Sequence, residues 1–108
     1  MKQFLIYMDI LGYEDRAKEN AKKTRYSPEQ FRQLDIDSIE GRLDELKASN
    51  VITKINNISE SSHEDAWLAF TDTEKGIFKA FETVCEVLKA NVPLAIAIEV
   101  GEFDDSYL

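Results

Sequence analysis

The chain has 108 residues, of which 44% are apolar, and its formal net charge of −8 comes from 21 acidic and 13 basic residues. This length predicts one domain, residues 1–108, with a single core, and the apolar content excludes a disordered chain. The acidic surface argues against nucleic acid and anionic membranes as partners, because both are negatively charged. One cysteine allows no intrachain disulfide, and no apolar run approaches the ~18 residues of a membrane span, so we expect a cytoplasmic protein without a signal peptide.

The first half of the chain predicts one strand followed by helices. Residues 4–8 (FLIYM) form a continuous apolar run, which is typical of a strand buried on both faces. Residues 14–23 are charged and suit a solvated helix. Two capping boxes, which are signatures of helix starts, follow at residues 27–30 (SPEQ) and 37–40 (DSIE). They predict one or two broken helices between residues 11 and 49.

The second half predicts a hairpin, a helix and a last strand. Residues 51–58 and 66–71 are strand-like, and residues 59–64 form a polar turn between them. A third capping box at residues 71–74 (TDTE) precedes an apolar stripe at helical spacing, which is typical of a helix packed on a core. The residues of this stripe are Ile77, Phe81, Val84, Cys85 and Leu88. Residues 94–100 (LAIAIEV) predict the final strand.

The resulting order β-α-β-β-α-β predicts an α+β protein with the ferredoxin-like two-layer sandwich. Right-handed crossovers give its antiparallel sheet the strand order 4-1-3-2, with the helices on one face. The first and third strands are then central antiparallel neighbours. The end of one therefore lies beside the start of the other.

This topology brings two aspartates to one edge of the sheet. Asp9 ends the first strand and Asp65 begins the third, so their carboxylates converge where a divalent cation can bind. The amides of Leu11, Gly12 and Tyr13 lie at the start of the first helix, where free N–H groups favour phosphate. A metal beside such amides predicts a nucleotide site. The alternatives are that Asp9 caps the helix, Asp65 occupies a turn and Gly12 permits a tight turn.

Other residues near this edge have simpler interpretations. The polar turn contributes Glu60, His63 and Glu64, and a lone histidine there is typical of a surface residue, since one histidine and one cysteine do not make a zinc site. Trp67 and Cys85 fit packing positions. No nucleophile with a positioned base is visible, and we assign no catalytic residue.

Three stretches of the sequence share a pattern with one known family: residues 7–13 (YMDILGY), 64–70 (EDAWLAF) and 96–102 (IAIEVGE). They resemble the class III nucleotidyl cyclases, the adenylate and guanylate cyclase superfamily. The resemblance implies that Asp9, the Ile10 carbonyl and Asp65 hold Mg²⁺ or Mn²⁺. It also implies that the amides of Leu11, Gly12 and Tyr13 bind the phosphates of a nucleoside triphosphate.

The same resemblance limits the activity that we expect. In the family, further strands carry the base-recognition residues and the asparagine and arginine that stabilise the transition state, and this sequence stops at Leu108 without matching them. We therefore expect either part of a longer cyclase-like protein or a reduced relative. Phosphorus–oxygen lyase chemistry would need the missing elements.

The alternative function is a non-catalytic dimerisation or regulatory module. A ferredoxin-like sheet has one face without helices, and a second copy can cover it to form a homodimer. Tyr7 and, if it lies on that face, Trp67 are candidate contacts. The two hypotheses are compatible, because class III cyclases are themselves dimeric.

Overall fold

The computed structural model describes residues 3–58, 66–72 and 76–102, and these form four strands and three helices. The elements in chain order are β1 (Gln3–Ile10), α1 (Tyr13–Lys23), α2 (Pro28–Ala48), β2 (Lys54–Asn57), β3 (Ala66–Asp72), α3 (Gly76–Leu88) and β4 (Leu94–Gly101). The prediction of one or two helices between residues 11 and 49 is confirmed, and the structure has two. The second predicted strand is shorter than expected, because Val51 and Ile52 precede it and are buried in the core instead.

The strands form one antiparallel sheet in the order β2-β3-β1-β4, which is the predicted order counted from the other edge. The protein is therefore α+β, and its arrangement is compatible with the ferredoxin-like sandwich that the sequence predicts. β1 lies between β3 and β4, so both of its edges are paired. Both faces of this central strand carry an apolar cluster, which explains why its residues 4–8 are continuously apolar.

Successive side chains of β1 point to opposite faces of the sheet and belong to two different apolar clusters. Ile6 and Met8 join the larger cluster, which also contains buried residues of α2 and α3. Leu5 packs instead with Leu68 and Phe70 in a smaller cluster. Because α2 and α3 contribute only to the first cluster, they share one face of the sheet, and we call the other the helix-free face.

α2 is one continuous helix of 21 residues. Its start confirms the first capping box: Ser27 Oγ accepts from the Gln30 amide at 3.2 Å, and the Gln30 side chain accepts from the Ser27 amide at 2.8 Å. The second predicted box, residues 37–40, lies inside the helix, and that prediction is wrong. The helix continues because its buried apolar residues keep helical spacing through this stretch. They are Ile36, Ile39, Leu43 and Leu46.

α3 begins at Gly76, and the third predicted box is also wrong, because Thr71 is buried within β3. The buried residues of α3 are Gly76, Ala80, Thr83 and Val87. The apolar stripe that we predicted to pack on the core lies elsewhere: Val84 is half-buried, and its other four members are exposed. Small residues occupy the inner face because α3 lies close to the sheet. A Cβ at Gly76 would be 2.6 Å from Phe4 Cδ2.

Two ionic contacts join α3 to its surroundings through Glu86. Arg42 Nη1 of α2 donates to Glu86 Oε1 at 3.0 Å, and Lys89 Nζ donates to Glu86 Oε2 at 3.1 Å. The contact with Arg42 shows which flank of α3 faces α2. Within the three described stretches of the chain, no helix has the length and apolarity that crossing a bilayer requires.

Two glycine substitutions should have opposite effects on stability. Gly76→Ala should lower the free energy of unfolding by about 1–3 kcal/mol, because the added methyl group overlaps the Phe4 ring. Gly41→Ala is the matched control: Gly41 lies in the middle of α2, and the new Cβ would meet nothing within 4 Å beyond its chain neighbours and the backbone of its own helix, so it should stabilise the protein by about 0.5–1 kcal/mol. Urea unfolding measures both. Equal effects would contradict the close approach of α3 to β1.

Glu86 should make stability depend on pH under acidic conditions. The hydrogen bond from Lys89, and then the charges of Lys89 and Arg42, lower the pKa of Glu86 below that of an ordinary glutamate. Because the folded-state pKa is lowered, ionised Glu86 stabilises the folded protein. This stabilisation is fully present above the unfolded-state pKa and is lost as the pH falls through the folded-state pKa. A carboxyl NMR titration should show the low midpoint and its rise in Lys89→Gln. An unchanged midpoint in this variant would contradict the assignment.

Candidate functional site

Asp9 is the penultimate residue of β1 and lies beside the starts of two neighbouring strands. It is directly opposite Ala66 in β3 and Ala95 in β4. By strand alternation its side chain shares the helix-free face with Tyr7, and it is half-buried there. Its two cross-strand neighbours are alanines, so small side chains flank the carboxylate on both sides.

Gly12 makes the turn that joins β1 to α1. Its φ of 62° is in the left-handed region, where a glycine has no steric penalty, and it is the N-cap residue of α1. The structure thus confirms the tight-turn interpretation of Gly12. It shows that the interpretation of Asp9 as the helix cap is wrong, since the cap comes three residues later. Among the described side chains, none forms a capping hydrogen bond at the start of α1.

The amides predicted to bind phosphate differ in their surroundings. The Leu11 N–H donates to the Pro93 carbonyl at 2.9 Å, which ties the turn to the segment preceding β4. Tyr13 is the first residue of α1, and the first amides of a helix have no acceptor within that helix. Gly12 and Tyr13 are therefore better placed than Leu11 to present N–H groups to an anion.

The start of α1 is held in place by contacts with α2. Ala17 is buried, and Arg16 Nη2 lies 3.0 Å from Asp35 Oδ2. The Arg16 guanidinium also stacks over the Phe31 ring, 5.2 Å from its centroid. These contacts fix the helix within one turn of Gly12, so the geometry of the turn is supported by packing.

Asp65 and the polar turn, residues 59–64 with Glu60, His63 and Glu64, lie outside the described residues. Ala66, which follows Asp65 in the sequence, is opposite Asp9. Over the portion of the chain that the structure describes, no group of three or more histidine, cysteine, aspartate or glutamate residues could hold a metal ion. The described contribution to the site is thus Asp9, Ile10 and the Gly12 turn.

The structure confirms the predicted packing role of Trp67 but not that of Cys85. Trp67 is 1% exposed and belongs to the helix-side core, which confirms packing and removes it from the helix-free face. Its Nε1 donates to Glu40 Oε1 at 3.3 Å. Cys85 is exposed, so its predicted role in packing is wrong.

Sequence reasoning missed a cleft of about 240 Å³ between α2 and the β2 edge. Its lining includes Glu40, Asp44, Lys47 and Asn57, and the Asn57 side-chain amide donates to Glu40 Oε1 at 3.3 Å. Helical spacing places Glu40, Asp44 and Lys47 on one face of α2 and could have indicated a polar stripe. The contribution of Asn57 depends on tertiary structure, which the helical pattern does not contain.

No protein-family model matches the chain, and no curated protein shows significant similarity to it.

Changing Gly12 should test the turn independently of ligand binding. The nearest atom to a Cβ at this position is Arg16 Cδ, at an ordinary 3.9 Å, so only the backbone conformation opposes a side chain. Gly12→Ala should cost about 1–2 kcal/mol of unfolding free energy. Gly12→Asn should cost less, because asparagine enters the left-handed region more readily and caps helices well. Equal losses in chemical denaturation would contradict this account.

Proposed function

We propose that the chain is a nucleotide- and divalent-metal-binding domain with a ferredoxin-like fold, resembling the N-terminal half of a class III nucleotidyl cyclase. The observation that supports it most strongly is the pairing of Asp9 with Ala66, the residue that follows Asp65. This register makes the ends of β1 and β3 neighbours, as a two-aspartate site requires.

The donor atoms suit the proposed ion. Asp9 and Asp65 supply carboxylate oxygens and Ile10 supplies a carbonyl oxygen, and hard cations such as Mg²⁺ and Mn²⁺ prefer oxygen ligands. Mg²⁺ is usually held by one or two carboxylates together with substrate phosphates, so two aspartates are enough. When bound, the ion would neutralise charge on the phosphate oxygens.

The start of α1 supplies the second half of the proposal. Gly12 leads directly into the helix without a side-chain cap, and the helix dipole favours an anion at that end. The amides of Gly12 and Tyr13 would therefore contact phosphate. The Leu11 amide would contribute only after leaving the Pro93 carbonyl.

We propose binding by this chain rather than turnover. The matched residues are ligands for metal and phosphate, and none corresponds to the family's transition-state asparagine and arginine. Cyclisation, in which the ribose 3′-hydroxyl attacks the α-phosphorus, would need those groups from elsewhere. The chain's contribution would be to hold the ion and orient the triphosphate.

A titration with Mg²⁺ and ATP or GTP, followed by amide NMR, tests the proposal. Shifts should concentrate at Ile10, Gly12 and Ala66, and replacing Mg²⁺ with Mn²⁺ should broaden the same signals. Asp9→Asn should weaken binding by about tenfold or more, since a charge-assisted contact is worth roughly 1.5–3 kcal/mol.

The control variant is Asp44→Asn, which removes one negative charge from an exposed position on α2. It should leave the affinity unchanged if binding is local. Equal weakening in both variants would show that the cation associates only with the −8 surface. Absence of shifts near Asp9 in the wild type would refute the nucleotide site.

The non-catalytic alternative, a homodimer formed through the helix-free face, stays a prediction. Tyr7 lies half-buried on that face, as this alternative requires. Leu5, Leu68 and Phe70 are already buried there, the last with 3% exposure. Such an interface would therefore gain little from these three side chains.

A further inference from the structure

The largest exposed apolar side chains are concentrated on α3 and β4. Of the nine exposed large hydrophobic residues among those described, six belong to these two elements. They are Ile77, Phe78, Phe81, Leu88, Ile98 and Val100. Monomeric proteins rarely expose a contiguous apolar patch of more than a few hundred Å², so the distribution points to an interaction surface.

The helical geometry of α3 places most of its exposed apolar residues on one flank. Glu86 faces α2, because it pairs with Arg42. With 100° of rotation per residue, Ile77, Phe81 and Leu88 lie on the opposite side of α3 from Glu86. They are therefore on the flank that faces away from α2. α3 contacts β1, β3 and β4, whereas α2 contacts β2. The apolar flank of α3 therefore faces the β4 side of the sheet.

The exposed residues of β4 continue this flank. Ile98 is opposite Ile6 and Val100 is opposite Phe4, so both lie on the face of the sheet that carries the helices. We call Ile77, Phe81, Leu88, Ile98 and Val100 the α3–β4 surface. None of its members is charged, in a chain whose net charge is −8.

β4 is also an edge strand, because in the described sheet it pairs only with β1. The free edge of such a strand presents unpaired N–H and C=O groups that can pair with another strand. Natural proteins often protect these edges with lysine, proline or inward-pointing charges, and β4 has none of them between its first and last residues. Its one charged residue, Glu99, points to the helix-free face.

We propose that the α3–β4 surface binds a second copy of this chain, by antiparallel pairing of the two β4 edges about a twofold axis at Ile98. This register places Val100 opposite Ile96 of the second copy, so apolar residues meet on the helix side. It places Glu99 opposite Ala97 of the second copy, so the two carboxylates do not face each other. The inference is independent of nucleotide binding.

The area available agrees with a dimer of modest stability. Taking about 200 Å² for a phenylalanine and somewhat less for an aliphatic residue, the exposed parts of the five residues amount to roughly 440 Å² per copy. Two copies would then bury about 900 Å² of side chain, and the paired backbones would bring the total near the lower limit of a specific interface.

Sedimentation of the whole chain at increasing concentration tests the proposal. The wild type should dimerise, and added salt should strengthen the dimer by screening repulsion between two acidic copies. Phe81→Lys and Val100→Lys should each weaken it by about tenfold or more. Both positions are mostly exposed, at 58% and 59%, so the variants should fold, as circular dichroism would verify.

Leu34→Lys is the matched control, because it adds the same charge at an exposed apolar residue of α2 outside the surface. It should dimerise at least as well as the wild type, since it reduces the repulsion between copies. A wild type that stays monomeric at every concentration and salt level would overturn the proposal and favour a different partner. A dimer that survives both lysine variants would overturn it too and favour the helix-free face.

Discussion

The alternating side chains of β1 determine most of this structure. One side of the strand provides Ile6 and Met8 to the core beneath the helices, and the other provides Leu5, Tyr7 and Asp9 to the helix-free face. A shift of one residue in pairing would exchange these two sets, so the apolar pattern fixes the register. The position of Asp9 beside the starts of β3 and β4 follows from the same register.

The setting of α3 depends on β1 as well. Phe4 lies so close to Gly76 that the inner face of α3 accepts only small or compact residues, and Thr83 is accommodated because its hydroxyl donates to the Lys79 carbonyl at 2.8 Å. The close approach leaves no room for large side chains beneath the helix. Phe81 and the other large apolar residues of α3 are consequently directed outward.

These two constraints explain what the sequence could and could not predict. The element order and the Ser27 capping box follow from local patterns, and the strand order follows from the element order and right-handed crossovers, so all three were predictable. Periodicity indicated an apolar stripe on α3 but not which face meets the sheet, because a face of glycine, alanine and threonine has a weak hydrophobic signal. The capping box at residues 37–40 wrongly predicted the start of a new helix. The buried apolar face of α2 continues through these residues, so the helix is not interrupted there.

The candidate site was predictable to the extent that it depends on strand register. The convergence of β1 and β3 needed only topology, and a glycine between a strand and a helix was enough to predict the tight turn at Gly12, though not its left-handed φ. The bond between the Leu11 amide and Pro93 was not predictable, because it joins segments more than 80 residues apart. It follows that a local motif can identify which amides begin a helix, whereas tertiary structure decides which of them are available to a ligand.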